Sequence, residues 1–214
     1  MSSFFGGSGY MDAQDRVYKT AYVCYGILVI TLIAYIIGNI IAPVFQYWGD
    51  LRPDRVLVYR EYYRLVTPVF LHEGVEHIAG NMIMLFVFGA LIENYTGHLV
   101  FAILYLMTGI AGNVLTIHYE LEMGEDFASL GASGAVMGII GFTFAWVIVR
   151  GISSLGNKAM LGRFMVLGIY VYRSVQYQEG VNNIAHIGGF VAGFIIGIIN
   201  IVIFKNNKRM EGLE

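Results

Sequence analysis

The sequence is poor in cysteine and in charged residues, and each shortage excludes a class of protein. Cys24 is the only cysteine among 214 residues, so the chain cannot form an intramolecular disulfide. Only 13% of the residues are charged, compared with about 25% in soluble domains, whereas 57% are hydrophobic. A chain of this composition is predicted to be an integral membrane protein.

Other absences narrow the possible functions further. The sequence contains no internal repeat, and its histidines have no carboxylate or thiol partner at metal-ligand spacing, so we expect neither a metal nor a cofactor. Cys24 lies within the first apolar run, where a lone cysteine usually serves as a small apolar filler. That run is too long, and begins too far along the chain, for a cleavable signal peptide.

Apolar runs long enough to cross a bilayer follow one another along most of the chain. A helix needs about 20 residues to cross the hydrocarbon. Six such spans are predicted, at residues 21–41, 75–94, 98–118, 132–150, 160–177 and 181–204. We therefore expect an all-α membrane protein whose residues 20–204 form one compact six-helix bundle. Residues 1–19 are predicted to be a flexible tail, and residues 205–214 a basic tail.

The one long connection joins the first two spans, roughly from Gln46 to Gly74. Its segment VYREYYRLVTPVFLH mixes tyrosines with Arg60 and Arg64. This composition is typical of a segment that lies at the level of the lipid headgroups. We expect short interfacial helices here, with the individual tyrosines forming an aromatic belt.

The distribution of basic residues predicts the orientation of the bundle. Lys205, Lys208 and Arg209 follow the last span, and basic residues also lie between the fourth and fifth spans. Because positive residues favour the cytoplasmic side, both tails are predicted to be cytoplasmic. The segment YELEMGEDF, before the fourth span, has four acidic residues and no basic one, so it is predicted to face outward. The arginines of the first connection, which would lie outside, are contrary to this scheme.

A few polar side chains interrupt the spans, and each is costly in hydrocarbon unless it faces the interior of the bundle. His77 and Asn81 are four residues apart in the second span and share one helix face. Ser133 lies at the start of the fourth span, and His186 lies near the start of the sixth. Because the even-numbered spans all begin on the same side, these residues are predicted to lie at one depth, within reach of water.

Small residues would allow the fourth and sixth spans to approach closely. They recur at four-residue spacing in both spans: Ala185, Gly189, Gly193 and Gly197 in the sixth, and Gly134 and Gly138 in the fourth. Such ridges bring helix backbones into near contact. The approach would place His186 about 3 Å from Ser133, the distance that a base needs to activate a nucleophile. Helix packing alone would explain the glycines but not the histidine.

Five short motifs occur in an order that resembles a known family. They are YRLVTPVFLH with Arg64 and His72, HIAGN at 77–81, GALIENYTG at 89–97 with Glu93, GASG at 131–134, and AHIGGFVAG at 185–193. Together they resemble the signature motifs of the rhomboid intramembrane serine proteases, over about residues 62–197. Two positions depart from the family pattern: Met137 stands where many members have tyrosine, and Asn182 where many have aspartate.

The resemblance implies a Ser-His dyad, with Ser133 as the nucleophile and His186 as the base. The backbone N–H of Ser133 and the side chains of His77 and Asn81 would then stabilise the oxyanion of the tetrahedral intermediate. Taken alone, His77 and Asn81 would more often serve as polar contacts between helices. Structural roles are expected for further motif residues: Arg64, His72, Glu93, Gly131, Gly134, Gly189 and Gly193.

The sequence thus predicts an intramembrane serine endopeptidase that cleaves single-pass transmembrane proteins near the outer boundary of the bilayer. Its expected partners are transmembrane substrates and membrane lipids rather than nucleic acid, and the oligomeric state is left open. The lack of further domains favours a prokaryotic plasma membrane. One alternative is a non-proteolytic binding protein of the same fold, which would not need the dyad. A small transporter is disfavoured, because the polar residues cluster near one surface and no inverted repeat is visible.

Overall fold

Helices make up most of the residues that the computed structural model describes, which are 7–124, 128–150, 158–176, 181–206, 208 and 210. In chain order these helices are α1 (Gly7–Lys19), α2 (Tyr22–Ile41), α3 (Val44–Gly49), α4 (Pro53–Leu57), α5 (Val75–Thr96), α6 (His98–Met123), α7 (Ser133–Arg150), α8 (Lys158–Val175) and α9 (Asn183–Ile203). An isolated antiparallel bridge joins Leu51 to Ser129. The chain is therefore an all-α membrane protein.

In the part of the chain that the structure describes, five of the six predicted spans correspond to helices that could cross a membrane, and the exception is the fifth. Within the described residues, five helices are long and apolar enough to cross a membrane: α2, α5, α6, α7 and α9. The predicted fifth span is also helical, as α8, but it carries Lys158, Arg163 and Arg173 along its 18 residues. This helix is thus less apolar than the other five.

The N-terminal residues differ from the predicted flexible tail, because residues 7–19 form α1. Val17 in this helix is fully buried. The ring of Tyr18 stacks on Phe86 of α5, with the ring centroids 5.0 Å apart. The burial of a few apolar side chains against the bundle thus orders a segment whose average composition is polar.

The acidic segment before α7 is also partly helical, where a loop was predicted. α6 continues through Met123 and ends at Gly124, whose φ of +69° is left-handed and is favourable for glycine. Glu120 and Glu122 therefore belong to α6. Glu125 and Asp126 lie outside the described residues, as does Arg209 of the predicted basic tail.

The long connection between α2 and α5 is organised around one buried arginine. The side chain of Arg64 is only 3% exposed. Its guanidinium donates to the backbone carbonyls of Tyr47 and Asp50, at 3.0 and 2.8 Å, and pairs with the carboxylates of Asp50 and Glu61. A guanidinium held by so many acceptors fixes the path of the connection, which includes α3 and α4.

α7 and α9 contact each other through their backbones. A Cβ atom added at Gly189 would lie 1.9 Å from the carbonyl oxygen of Gly134, and one added at Gly193 would lie 1.9 Å from that of Gly138. No residue with a Cβ atom fits at this spacing. The ridges of small residues in the sequence thus lie in the contact between these two helices.

Candidate active site

The beginnings of three membrane helices bring the polar residues of the spans to one level. His77 is the third residue of α5, Ser133 is the first residue of α7, and His186 is the fourth residue of α9. Because Ser133 is the first residue of its helix, its backbone N–H has no carbonyl acceptor within the helix. The positive end of the helix dipole also lies there, and it favours negative charge beside Ser133.

Gly131 allows the chain to turn into α7 between two functional side chains. Its φ is +140°, a conformation that side-chain-bearing residues rarely adopt. A Cβ atom at this position would lie 2.8 Å from Nε2 of His77 and 3.7 Å from Oγ of Ser133. The imidazole of His77 and the hydroxyl of Ser133 therefore border the same small space, which a larger residue at 131 would fill.

A hydrogen bond to α8 determines the tautomer of His186. Its Nδ1 lies 3.1 Å from the backbone carbonyl oxygen of Ser174. Because a carbonyl can only accept, Nδ1 carries the hydrogen and Nε2 keeps its lone pair. This is the tautomer in which Nε2 can take a proton from a nucleophile.

Ser133 and His186 are neighbours in the fold but are not joined by a hydrogen bond. A Cβ atom at Gly134 would lie 3.3 Å from the carbonyl oxygen of Ala185, so the backbones beside the two residues touch. Within the described part of the chain, the hydroxyl of Ser133 has no hydrogen-bond partner. Hydrogen bonds between catalytic groups often shorten only once a substrate is bound.

The carboxamide of Asn81 uses both of its ends. Its Nδ2 lies 3.1 Å from Nε2 of His72 and donates at 3.1 Å to the backbone carbonyl of His77. Its Oδ1 accepts a hydrogen bond of 2.8 Å from the hydroxyl of Tyr170 in α8. Asn81 therefore links α5 to the preceding connection and to α8. To donate to an oxyanion, its Nδ2 must exchange one of these two acceptors.

His72 connects Asn81 to the segment that precedes Ser133. Its buried Nε2 accepts from the backbone N–H of Ala132 at 3.2 Å and from Nδ2 of Asn81. Its ring also meets the ring of His77 edge-on, with the centroids 5.0 Å apart. Burial, helped by the proximity of His77, lowers the pKa of His72 to about 3. The ring is therefore neutral at physiological pH, as two donors to Nε2 require.

Asn182, one of the two departures from the family pattern, occupies a structural junction. Its Oδ1 accepts the backbone N–H of Ala185 at 2.9 Å and so caps the start of α9. Its Nδ2 donates to the hydroxyls of Thr116 and Ser129, at 3.0 Å each. One amide thus ties α9 to α6 and to the segment before Ser133. A cap residue directly before an apolar run is a signal that the sequence does contain.

The other departure, Met137, lies in the hydrophobic core. The hydrogen bond that orients the ring of His186 instead comes from α8, through Ser174. Tyr170, which holds Asn81, has no sequence signal of its own, because its hydroxyl meets a residue 89 positions away.

Glu93 lies at the opposite end of α5 from His77. It is buried, and its carboxylate accepts the backbone N–H groups of Val23 and Cys24, at 2.9 and 2.7 Å, at the start of α2. His98 contacts the same carboxylate through Nδ1, at 2.5 Å. Across the described residues, no group of three His, Cys, Asp or Glu side chains is arranged to hold a metal ion.

Comparison with known proteins gives a consistent set of relatives. The chain matches the Rhomboid domain over residues 59–202. It is 32% identical over 157 residues to RHOMBOID-like protein 4 of Arabidopsis thaliana, a match that covers 73% of this chain and 39% of that protein. It is 34% identical over 138 residues to Rhomboid-type serine protease 2 of Emericella nidulans, covering 64% and 27%.

A bacterial relative is matched over a larger share of its length. The rhomboid protein YdcA of Bacillus subtilis is 31% identical over 139 residues, which cover 65% of this chain and 67% of that protein. The chain spans less than half of the plant and fungal proteins. Because the relatives include plant and fungal proteins, they do not support the predicted prokaryotic source.

Proposed function

Because this chain belongs to the rhomboid family, we propose that it is an intramembrane serine protease with Ser133 as the nucleophile and His186 as the base. The observation that carries the proposal is the contact of 3.1 Å between Nδ1 of His186 and the backbone carbonyl oxygen of Ser174. The carbonyl of Ser174 accepts the Nδ1–H, which leaves the lone pair of Nε2 available, and the neighbouring Ala185 lies against Gly134 of α7. A serine at a helix N-terminus and a histidine with a free Nε2 are the groups that acyl transfer needs.

The reaction follows from these groups. Oγ of Ser133 attacks the carbonyl carbon of the scissile peptide as its proton passes to Nε2 of His186. The resulting imidazolium is stabilised by the bond from Nδ1–H to Ser174 and then gives its proton to the leaving amine nitrogen. The C–N bond breaks and an ester on Ser133 remains. Water, deprotonated by His186, hydrolyses this ester and restores the serine.

The oxyanion of the tetrahedral intermediate would be stabilised by three donors. The backbone N–H of Ser133 points out of the start of α7, and His77 lies across the gap that Gly131 leaves. Asn81 becomes the third donor when its Nδ2 exchanges an acceptor for the oxyanion. Each such donor is typically worth about 10²- to 10³-fold in kcat.

The proposed substrates are single-pass transmembrane proteins, cut near the outer membrane boundary. A helix in lipid has all its backbone groups hydrogen-bonded, so a substrate must unwind locally before its carbonyl can reach Ser133. We expect lateral entry from the bilayer and small or helix-weakening residues near the cut.

The proposed orientation places both chain termini in the cytoplasm and the segment after α6 outside. Cysteine accessibility tests this orientation. A cysteine at Glu122 should react with an impermeant reagent in intact cells, and reaction only after permeabilisation would reverse the orientation.

Covalent labelling tests the proposed chemistry. A fluorophosphonate probe should label the purified protein at Ser133, and Ser133→Ala should abolish both labelling and cleavage of a model transmembrane substrate. Thr20→Ala, which removes an exposed hydroxyl between α1 and α2, is the matched control and should keep both. Cleavage that persists in Ser133→Ala would refute the serine protease mechanism. An unlabelled wild-type protein would favour a non-proteolytic binding function.

A further inference from the structure

We propose that Tyr170 of α8 is a positioning residue that holds the carboxamide of Asn81 in its donating orientation. The inference rests on the proposed protease function and adds to it a residue outside the family motifs. Its starting observation is the hydrogen bond of 2.8 Å between the hydroxyl of Tyr170 and Oδ1 of Asn81.

The chemistry of a carboxamide makes this bond informative. The oxygen and nitrogen ends of an asparagine side chain have nearly the same shape, so neighbouring groups decide which end points where. Nδ2 of Asn81 has two acceptors, Nε2 of His72 and the carbonyl of His77. The hydroxyl of Tyr170 supplies the matching donor for Oδ1. Without it, the buried oxygen would lose its partner and the amide would be less firmly oriented.

The location of Tyr170 is specific for this role. Asn81 is only 2% exposed, so its side chain depends on protein partners for its hydrogen bonds when no substrate is bound. Tyr170 packs against the hydrophobic core, whereas Tyr172 on the same helix is 65% exposed and faces away from it. The two residues are therefore the same amino acid on the same helix, but only Tyr170 contacts Asn81 and the core.

α8 contacts a second functional group one turn further on. Tyr170 and Ser174 are four residues apart and share a helix face. The first holds Asn81 through its side chain, and the second holds His186 through its backbone carbonyl. The side-chain contact can be removed by substitution, but the backbone contact cannot. The hydroxyl of Tyr170 also interacts with the side chain of Ser174, so comparison with the Asn81→Ala background is needed to separate the coupling of α8 to the oxyanion donor from its coupling to the base.

The test is a double-mutant cycle between Tyr170→Phe and Asn81→Ala, measured as kcat and KM for a model transmembrane substrate. Tyr170→Phe removes one hydroxyl and should lower kcat about three- to tenfold with KM unchanged, the usual effect of one hydrogen bond. In the Asn81→Ala background, the same substitution should have no further effect, because the group it positions is gone. Tyr172→Phe is the matched control and should leave kcat unchanged.

Three results would overturn the inference. They are a KM effect without a kcat effect, an equal loss of kcat in both backgrounds, and an unchanged kcat, which with a lowered melting temperature would indicate a structural role only. Failure of the proposed function gives a different result, because the wild-type protein would then neither cleave the substrate nor be labelled at Ser133.

Discussion

The contact between α7 and α9 and the contacts of α8 hold the proposed site by different means. α7 and α9 meet backbone to backbone, at Gly134 and Gly189. α8 meets the site through single hydrogen bonds, from Tyr170 to Asn81 and from His186 to Ser174. The proposed nucleophile and base therefore lie on two helices whose backbones are in direct contact. The groups that orient the proposed donor and base come from α8, whose side-chain bond to Asn81 can be removed by substitution while its backbone bond to His186 stays.

The largest expected effect breaks the α7–α9 side of this comparison. Gly189→Val would place a side chain on the carbonyl of Gly134, so α7 and α9 must move apart. We expect kcat to fall by more than about 100-fold, since displacements of about 1 Å have effects of that size. The measurements are turnover of a transmembrane substrate and the melting temperature in detergent.

α8 provides the matched control for this substitution. Nothing lies within 4 Å of a Cβ atom at Gly168, so Gly168→Val should keep turnover close to that of the wild type. If Gly189→Val also retained full turnover, close backbone contact would not be what brings His186 to Ser133.

The next effect concerns the donor that α8 holds. Asn81→Ala should lower kcat about 10- to 10³-fold, because the N–H of Ser133 and His77 would still stabilise part of the negative charge. Turnover and detergent melting temperature should be measured together. Wild-type turnover with a lowered melting temperature would remove Asn81 from the catalytic residues and leave it as a contact between α5 and α8.

Acid should reduce the stability that His72 contributes. This residue joins Asn81, which α8 holds, to Ala132 at the start of α7. Its pKa is lowered from 6.5 to about 3 in the folded protein. The unfolded chain therefore takes up a proton below about pH 6.5 while the folded protein does not. The stability that His72 contributes is complete above pH 6.5 and is lost as the pH falls from 6.5 towards 3, by up to about 1.4 kcal/mol per pH unit.

A variant isolates this effect from other titrating groups. His72→Gln cannot titrate in this range, so its melting temperature should fall less steeply between pH 6.5 and pH 4 than that of the wild type. Identical slopes for the two proteins would show that His72 is not the acid-sensitive group.

The smallest expected effect is a loss of stability at the start of α9, where Asn182 caps the helix. Asn182→Ala removes the cap of α9 and the bonds to Thr116 and Ser129, so we expect a melting temperature lower by about 2–8 °C. Asn182→Asp keeps the cap, and the two hydroxyls can donate to its carboxylate. It should therefore recover most of the loss. A carboxylate as damaging as alanine would show that the amide's own donors are what matter.

The sequence predicts those parts of the fold that local pattern encodes. The spans that became α5, α7 and α9 begin within two residues of their predicted starts, because apolar runs and the polar residues that open them are local signals. α1 was not predicted as a helix, because its order depends on the burial of residues such as Val17 against other helices. The fifth span is the least apolar, and two of its charged residues contact other helices: Arg163 contacts Tyr18 of α1, and Arg173 lies 3.6 Å from the carboxylate of Glu76 in α5.

The candidate site divides in the same way. The predicted topology placed Ser133, His77 and His186 at one level, because each lies near the start of an even-numbered span. The bond from Tyr170 to Asn81 joins residues 89 positions apart, and that from Ala132 to His72 joins residues 60 apart. Neither has a periodic signature, so no reading of one sequence could find them. A helical period determines which residues share a face but not which distant residue that face will meet.

The bond between Glu93 and the start of α2 has a consequence for biosynthesis. The backbone N–H of Val23 emerges from the ribosome 70 residues before the carboxylate that will accept it. At a synthesis rate of about 5–20 residues per second, about 4 to 14 seconds pass between the synthesis of Val23 and that of Glu93. Until then the first backbone amides of α2 must be hydrogen-bonded by water or by the translocation machinery, so α2 lacks one of the contacts that fix its start in the folded protein. A nascent chain stalled before Glu93 should therefore be cleared by quality-control proteases sooner than one stalled just after α5.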